Sequence, residues 1–96
     1  MEFEWDDEKA ATNQHKHGVS FDEAQELFTS RNDYLELYDE NHSTYEDRFI
    51  AIGPIQRGLV LIVWTERVNA VVRIISARWA TKREQDMYRS YTEENQ

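Results

Sequence analysis

Apolar positions recur at helical spacing over the first third of the chain and at every second position over much of the rest. Phe3-Glu4-Trp5 alternates and reads as a short edge strand. Asp6 or Asp7 caps a helix that runs through Asn13 to about Lys16, with acidic residues in its first turn. Gly18 ends that helix, because glycine takes the left-handed conformation without steric cost. Ser20-Phe21-Asp22-Glu23 follows the S-x-x-E pattern, in which serine and glutamate cap each other's backbone amides. Behind it, Phe21, Ala24, Leu27 and Phe28 fall on one side of a second helix that ends near Thr29.

From Asp33 the period is two. Segments 34–38, 45–52, 59–65 and 71–77 are rich in β-branched and aromatic residues. Asp39-Glu40-Asn41-His42, Gly53-Pro54 with Gly58, and Arg67-Val68-Asn69 separate them. These are short polar or glycine-containing turns, so consecutive strands pair antiparallel. LVLIVW and VVRII are apolar on both faces, as central strands covered on both sides are. Thr81-Lys82-Arg83-Glu84 is a second capping pattern, opening a helix in which Met87, Tyr88 and Tyr91 cluster. The predicted order is β-α-α-β-β-β-β-α, a compact α+β fold whose mainly antiparallel sheet is packed by helices.

The 96 residues make one domain, 1–96. Lack of cysteine excludes disulfides, thiolate nucleophiles and cysteine-ligated metals. The opening MEFEWDDEK is acidic where a secretory signal is basic, and the apolar run 59–64 falls short of the ~20 residues of a membrane helix. A cytoplasmic chain with no membrane partner is the expectation.

Charge changes the picture more than size does. The formal net charge is −8, yet residues 1–47 hold 14 acids and 3 Lys/Arg, whereas residues 48–96 hold 5 acids and 8 Lys/Arg. Within 48–83, seven basic residues face the single acid Glu66. Two readings stand: a local surface that attracts phosphate, or an acidic half salt-bridged to a basic half.

Strand alternation sorts the candidate chemistry. It places Glu46 and Arg48 together with Ile50 and Ile52, either as an internal ion pair or as a proton acceptor beside a phosphate clamp. It places Ser76 and Arg78 together with Val72 and Ile74, and sets Arg73 on the opposite face as a structural residue. Arg67 falls at the turn before that strand, at the far end of the sheet from Arg78 unless the turn folds back. Lys9, Asn13 and Lys16 or His17 form a stripe on the first helix, either a phosphate-contacting edge or a solvated face. Metal-free RNA cleavage needs a base for the 2′-hydroxyl, an acid for the leaving oxygen and cations for the charged phosphorane. Arginine suits the last task through its planar fork of donors.

FEWDDEKAATNQHKHGVSFDEA, EDRFIAIG, GLVLIVWTER and VRIISARWATKRE, in this order, resemble the BrnT family, the toxins of bacterial type II toxin–antitoxin pairs. The resemblance covers Phe3 to about Tyr88. It implies a RelE-like ribonuclease fold and a metal-independent endoribonuclease that inhibits translation, with no cofactor. It also implies a BrnA-type ribbon-helix-helix antitoxin, through which the complex reaches operator DNA. By position it implies a catalytic set of Arg67, Arg78, Glu46, Arg48 and Glu84. The arginines are clamps in that set, and Glu46 or Glu84 is either the base or an ion-pairing residue. Lys16, His17, Ser76, Lys82 and Arg83 are implied RNA contacts. Trp79 stands where relatives carry a basic residue, and offers a base-stacking platform instead. Serine nucleophilic catalysis is excluded for Ser76, which has no identifiable base. The alternative function is a catalytically weak or inert module that holds the antitoxin and acts as co-repressor of its own operon.

Overall fold

A computed structural model of the chain describes residues 1–94. Its strands are β1 (Glu2–Glu4), β2 (Leu35–Tyr38), β3 (Phe49–Ile55), β4 (Gly58–Arg67) and β5 (Val71–Trp79). Its helices are α1 (Asp7–His17), α2 (Phe21–Ala24), α3 (Glu26–Thr29) and α4 (Lys82–Glu94). One sheet carries the strands in the order β1-β5-β4-β3-β2. Only β1 runs parallel to its neighbour, β5. The α+β class and the helix caps follow the sequence. Asp6 accepts from the Glu8 and Lys9 amides, Gly18 sits at φ 72°, and Ser20 and Glu23 cap each other.

Three local features differ from the alternation. The expected second helix is two short ones, because the chain tightens at Gln25 and the Phe28 amide bonds back only to the Gln25 carbonyl. The strand expected from residue 45 begins at Phe49. Residues 43–48 are held as a loop instead: the Ser43 hydroxyl donates to the Asp39 carbonyl at 2.6 Å and accepts from the Arg48 amide at 2.9 Å. Glu46 and Arg48 are therefore loop residues, and no strand alternation orients them.

The third difference is a β-bulge. Val63 pairs with Ser76 and Trp64 with Ile74, so Ile75 is an extra residue on β5. It resets the alternation. Val72, Ile74 and Ala77 all turn into the larger core, with Phe21, Leu27, Val60, Ile62 and Trp64. Arg73, Ser76 and Arg78 share the other face. Fully burying side chains such as Phe21, Leu27, Ile62 and Ile74 contributes roughly 1.5–3 kcal/mol each. A smaller cluster on the opposite side packs Ile52, Leu61 and Ala80 with Leu35, Leu37 and Tyr88 under α4.

Two contacts position the functional end of β5. β1 stops pairing at Arg73, and α1 takes over the open edge. The buried Asn13 side chain donates to the Ala77 carbonyl at 2.8 Å and accepts from the Ala77 amide at 3.1 Å, as a neighbouring strand would. Asn13 thus leaves the expected polar stripe of α1 and becomes an edge cap. On the core side, a Cβ at Gly53 would meet Leu27 Cδ1 at 2.7 Å and Tyr34 Cβ at 2.8 Å, so only glycine admits this approach of α3 to β3.

Candidate functional site

The half of the sheet formed by β4 and β5 presents Thr65 and Arg67 beside Arg73, Ser76 and Arg78, on the face away from α1–α3. α4 packs over β3 on that face, and the arginine side chains keep 49% (Arg67), 31% (Arg73) and 37% (Arg78) of their surface in solvent. The bulge is what brings Arg73 into line with Arg78. Strict alternation set it on the other face, and no residue type in RIISAR marks the extra residue.

Arg67 and Arg78 do not meet. Arg78 is opposite Leu61 on β4, six residues from Arg67, a span of ~20 Å along an extended strand. The turn at Val68–Ala70 is a tight one that closes the Arg67–Val71 pair, so it does not fold Arg67 back. The two arginines lie at opposite ends of the sheet, as a turn that does not fold back requires, and with Arg73 they form a row of cations.

Each end of the row has an acidic partner. Glu4 accepts from Arg73 and lies 3.9 Å from Arg67 Nε. Arg78 binds Glu84 with both prongs of its fork, at 2.7 and 2.9 Å. Glu84 also accepts from the Thr81 amide at 2.8 Å, completing the cap of α4. The Arg78 hydrogen bonds, helped by Thr81 and opposed by partial burial, lower the Glu84 carboxyl to about 2. The same hydrogen bonds hold Arg78 more firmly charged. A general base works best with a pKa near the working pH, so Glu84 is a poor proton acceptor and a good structural anion. The bidentate pair gives Glu84 the ion-pairing role of the two expected for it.

At the Arg67 end, one open pocket is lined by Glu46, Asp47, Thr65 and Arg67. A neighbouring pocket is lined by His42, Tyr45, Glu46 and Arg48. Glu46 lines both. Among the described residues, neither Glu46 nor Arg48 takes part in an ion pair, whereas Asp47 accepts from the Tyr38 hydroxyl at 2.9 Å.

The implied RNA contacts divide. Lys16, His17 and Ser76 line one open pocket with Lys9 and Thr12, where α1 meets the edge of β5. Lys82 is paired along α4 with Asp86 at 2.6 Å, and Arg83 lines a groove with Leu35 and Met87 on the β2 side of α4, three strands away from β5. Trp79 is not a free stacking platform. The reset alternation packs it against the larger core, and the Arg57 guanidinium lies 5.0 Å from its ring centroid. Arg57 is itself pinned by Glu23 at 2.6 and 2.9 Å and by the Gly18 carbonyl at 2.7 Å.

Among the described residues, no three His, Asp or Glu side chains converge as a metal site, and no helix is long and apolar enough to cross a membrane. A comparison with curated proteins finds no match. The crystal structure of the Brucella abortus ribonuclease toxin BrnT is similar in fold, with a TM-score of 0.66 and 27% identity over 85% of this chain and 99% of that one. Residues 5–84 match the family model described as the ribonuclease toxin, BrnT, of type II toxin–antitoxin systems. With most of its length inside that match, the chain belongs to the BrnT family of ribonuclease toxins of type II toxin–antitoxin systems.

Proposed function

We propose that this chain is a RelE-like, metal-independent endoribonuclease that cuts RNA in the cytoplasm, halts translation and is neutralised by a BrnA-type ribbon-helix-helix antitoxin. The antitoxin carries the complex to operator DNA. The observation that supports this reading best is the row of Arg67, Arg73 and Arg78 on the open half of the sheet, in a chain of net charge −8. Arginine on a half-exposed sheet face recognises phosphate bidentately. RNA lies along the row with Ser76, Lys16 and His17 at its edge. Glu46, beside Arg67 and Arg48, takes the proton of the 2′-hydroxyl, and the two arginines stabilise the charge that develops on the phosphorane.

A second reading has its own support. Arg73 and Arg78 are already partnered by Glu4 and Glu84, and Trp79 is packed away. Both facts favour a weakly catalytic or inert chain that serves as antitoxin ligand and co-repressor. Induction in bacteria without the antitoxin separates the two. The toxin reading expects growth arrest and RNA breakdown with wild type, and relief with Arg67→Ala. Unchanged growth and intact RNA with wild type would leave only the co-repressor.

A further inference from the structure

The turn between β2 and β3 carries an imidazole with the geometry of a proton-transfer group. His42 Nδ1 lies 3.1 and 3.0 Å from the two carboxylate oxygens of Asp39, one helical turn before it. The Asp39 side chain is only 12% exposed, whereas His42 is 68% exposed. The carboxylate is therefore the fixed partner. With Nδ1–H donating to it, Nε2 is left as the nitrogen that faces outward.

The loop that holds this pair is well tied. The His42 amide bonds to the Asp39 carbonyl at 3.2 Å, the Ser43 hydroxyl to the same carbonyl at 2.6 Å, and the Asp39 amide to the Arg48 carbonyl at 2.8 Å. These bonds bring the returning segment, with Tyr45, Glu46 and Arg48, against His42 around one open pocket of about 430 Å³. The charged and titratable groups around the imidazole are Asp39 and Glu40 in its own turn, and Tyr45, Glu46 and Arg48 on the returning segment. Tyr45 is 99% exposed, a bare aromatic ring at the rim. Bases stack on such rings regardless of their identity.

We infer that His42, oriented by Asp39, is the proton-transfer partner of Glu46 in RNA cleavage, with Tyr45 stacking a flanking base. The inference rests on the ribonuclease reading and adds the acid that reading lacks. The 2′-hydroxyl attacks the adjacent phosphorus and its proton passes to the Glu46 carboxylate. The bond from phosphorus to the 5′ oxygen breaks, and the His42 imidazolium gives its Nε2 proton to that oxygen. The products are a 2′,3′-cyclic phosphate and a 5′-hydroxyl. Arg48 and Arg67 hold the phosphate on either side of Glu46. Asp39 is a positioning residue: it fixes the tautomer and steadies the imidazolium, and does not touch RNA.

The test is cleavage of a short single-stranded RNA across pH 5 to 9 by the full chain freed of its antitoxin, with melting curves for every variant. Wild type should give a rate that falls on the alkaline side, where the imidazolium proton is lost, and cyclic-phosphate ends. His42→Ala should lose about 10²–10⁴-fold in rate, the usual weight of one acid–base group, and flatten the alkaline limb. His42→Gln, which can still hydrogen-bond Asp39, should be equally slow at an unchanged melting temperature. Asp39→Asn should keep part of the rate and move the alkaline limb. Wild-type rate and profile in a folded His42→Ala chain would overturn the assignment while leaving the ribonuclease reading intact. An intact RNA with wild type at every pH would overturn both.

Discussion

On the side of α1–α3, β4 and β5 bury Val60, Ile62, Trp64, Val72, Ile74 and Ala77 against Phe21 and Leu27. On the other side the same two strands present Arg67, Arg73, Ser76 and Arg78 at a partly exposed surface. The first surface is dry and interlocked, so volume decides what fits there. The second is held by ion pairs that solvent screens, so single residues there carry little stability. Substitutions should therefore sort by face. Those on the core side lower the melting temperature, and those on the arginine side lower activity.

Trp64→Ala should give the largest effect. The ring is 7% exposed and packs on Phe28 and Phe49 at centroid distances of 5.3 and 5.1 Å. Removing it should cost about 3–5 kcal/mol, much of the ~5–10 kcal/mol that a domain this small has. Urea unfolding checks this, and a near-native midpoint would break the contrast between the faces. Asn13→Ala comes next. It strips the Ala77 amide and carbonyl of their edge partner, at about 1–3 kcal/mol, and amide exchange at Ala77 should quicken.

Arg78→Ala should leave the fold nearly intact, with a small fall in melting temperature, and should weaken RNA binding. Unfolding on this substitution would move Arg78 from the functional face to the scaffold. The pair it forms also has a pH signature. Glu84 sits at about 2 when folded against an ordinary value of 4.5, so its contribution is complete above pH 4.5 and is lost as pH falls toward 2. Wild type should lose melting temperature over that window more steeply than Glu84→Gln. Equal slopes would mean that the pair adds nothing. Smallest of all should be the stability change in Arg67→Ala, within about 1 kcal/mol, because its nearest carboxylate oxygen is 3.9 Å away and both partners are well exposed.

Most of the fold was legible in the sequence because it rests on local signals. Asp6, Gly18 and the Ser20–Glu23 and Thr81–Glu84 boxes mark helix ends through bonds to their own backbone. The continuous apolar run of 59–64 marks the central strand, covered on both faces. The candidate site was less legible because its pieces depend on long-range events. The bulge at Ile75 moves Arg73 to the face of Arg78 and Trp79 against the core, and only the pairing of β5 with β4 reveals it. Asn13 looked like part of a polar stripe because its partner, Ala77, is 64 residues away. Residues 45–48 looked like the start of β3 because they run straight into its apolar segment, while the Ser43 hydroxyl takes the Arg48 amide and the Asp39 carbonyl instead. Arg67 at the opposite end of the sheet from Arg78 was readable, since a tight turn leaves no other place for it.

The most direct test of the account is cleavage of single-stranded RNA by the purified chain, in EDTA, beside Arg67→Ala of matched melting temperature. The account predicts cleavage by wild type despite the chelator and at least a hundredfold slower cleavage by the folded variant. Equal cleavage by the two, or none by wild type until a metal is restored, would contradict it.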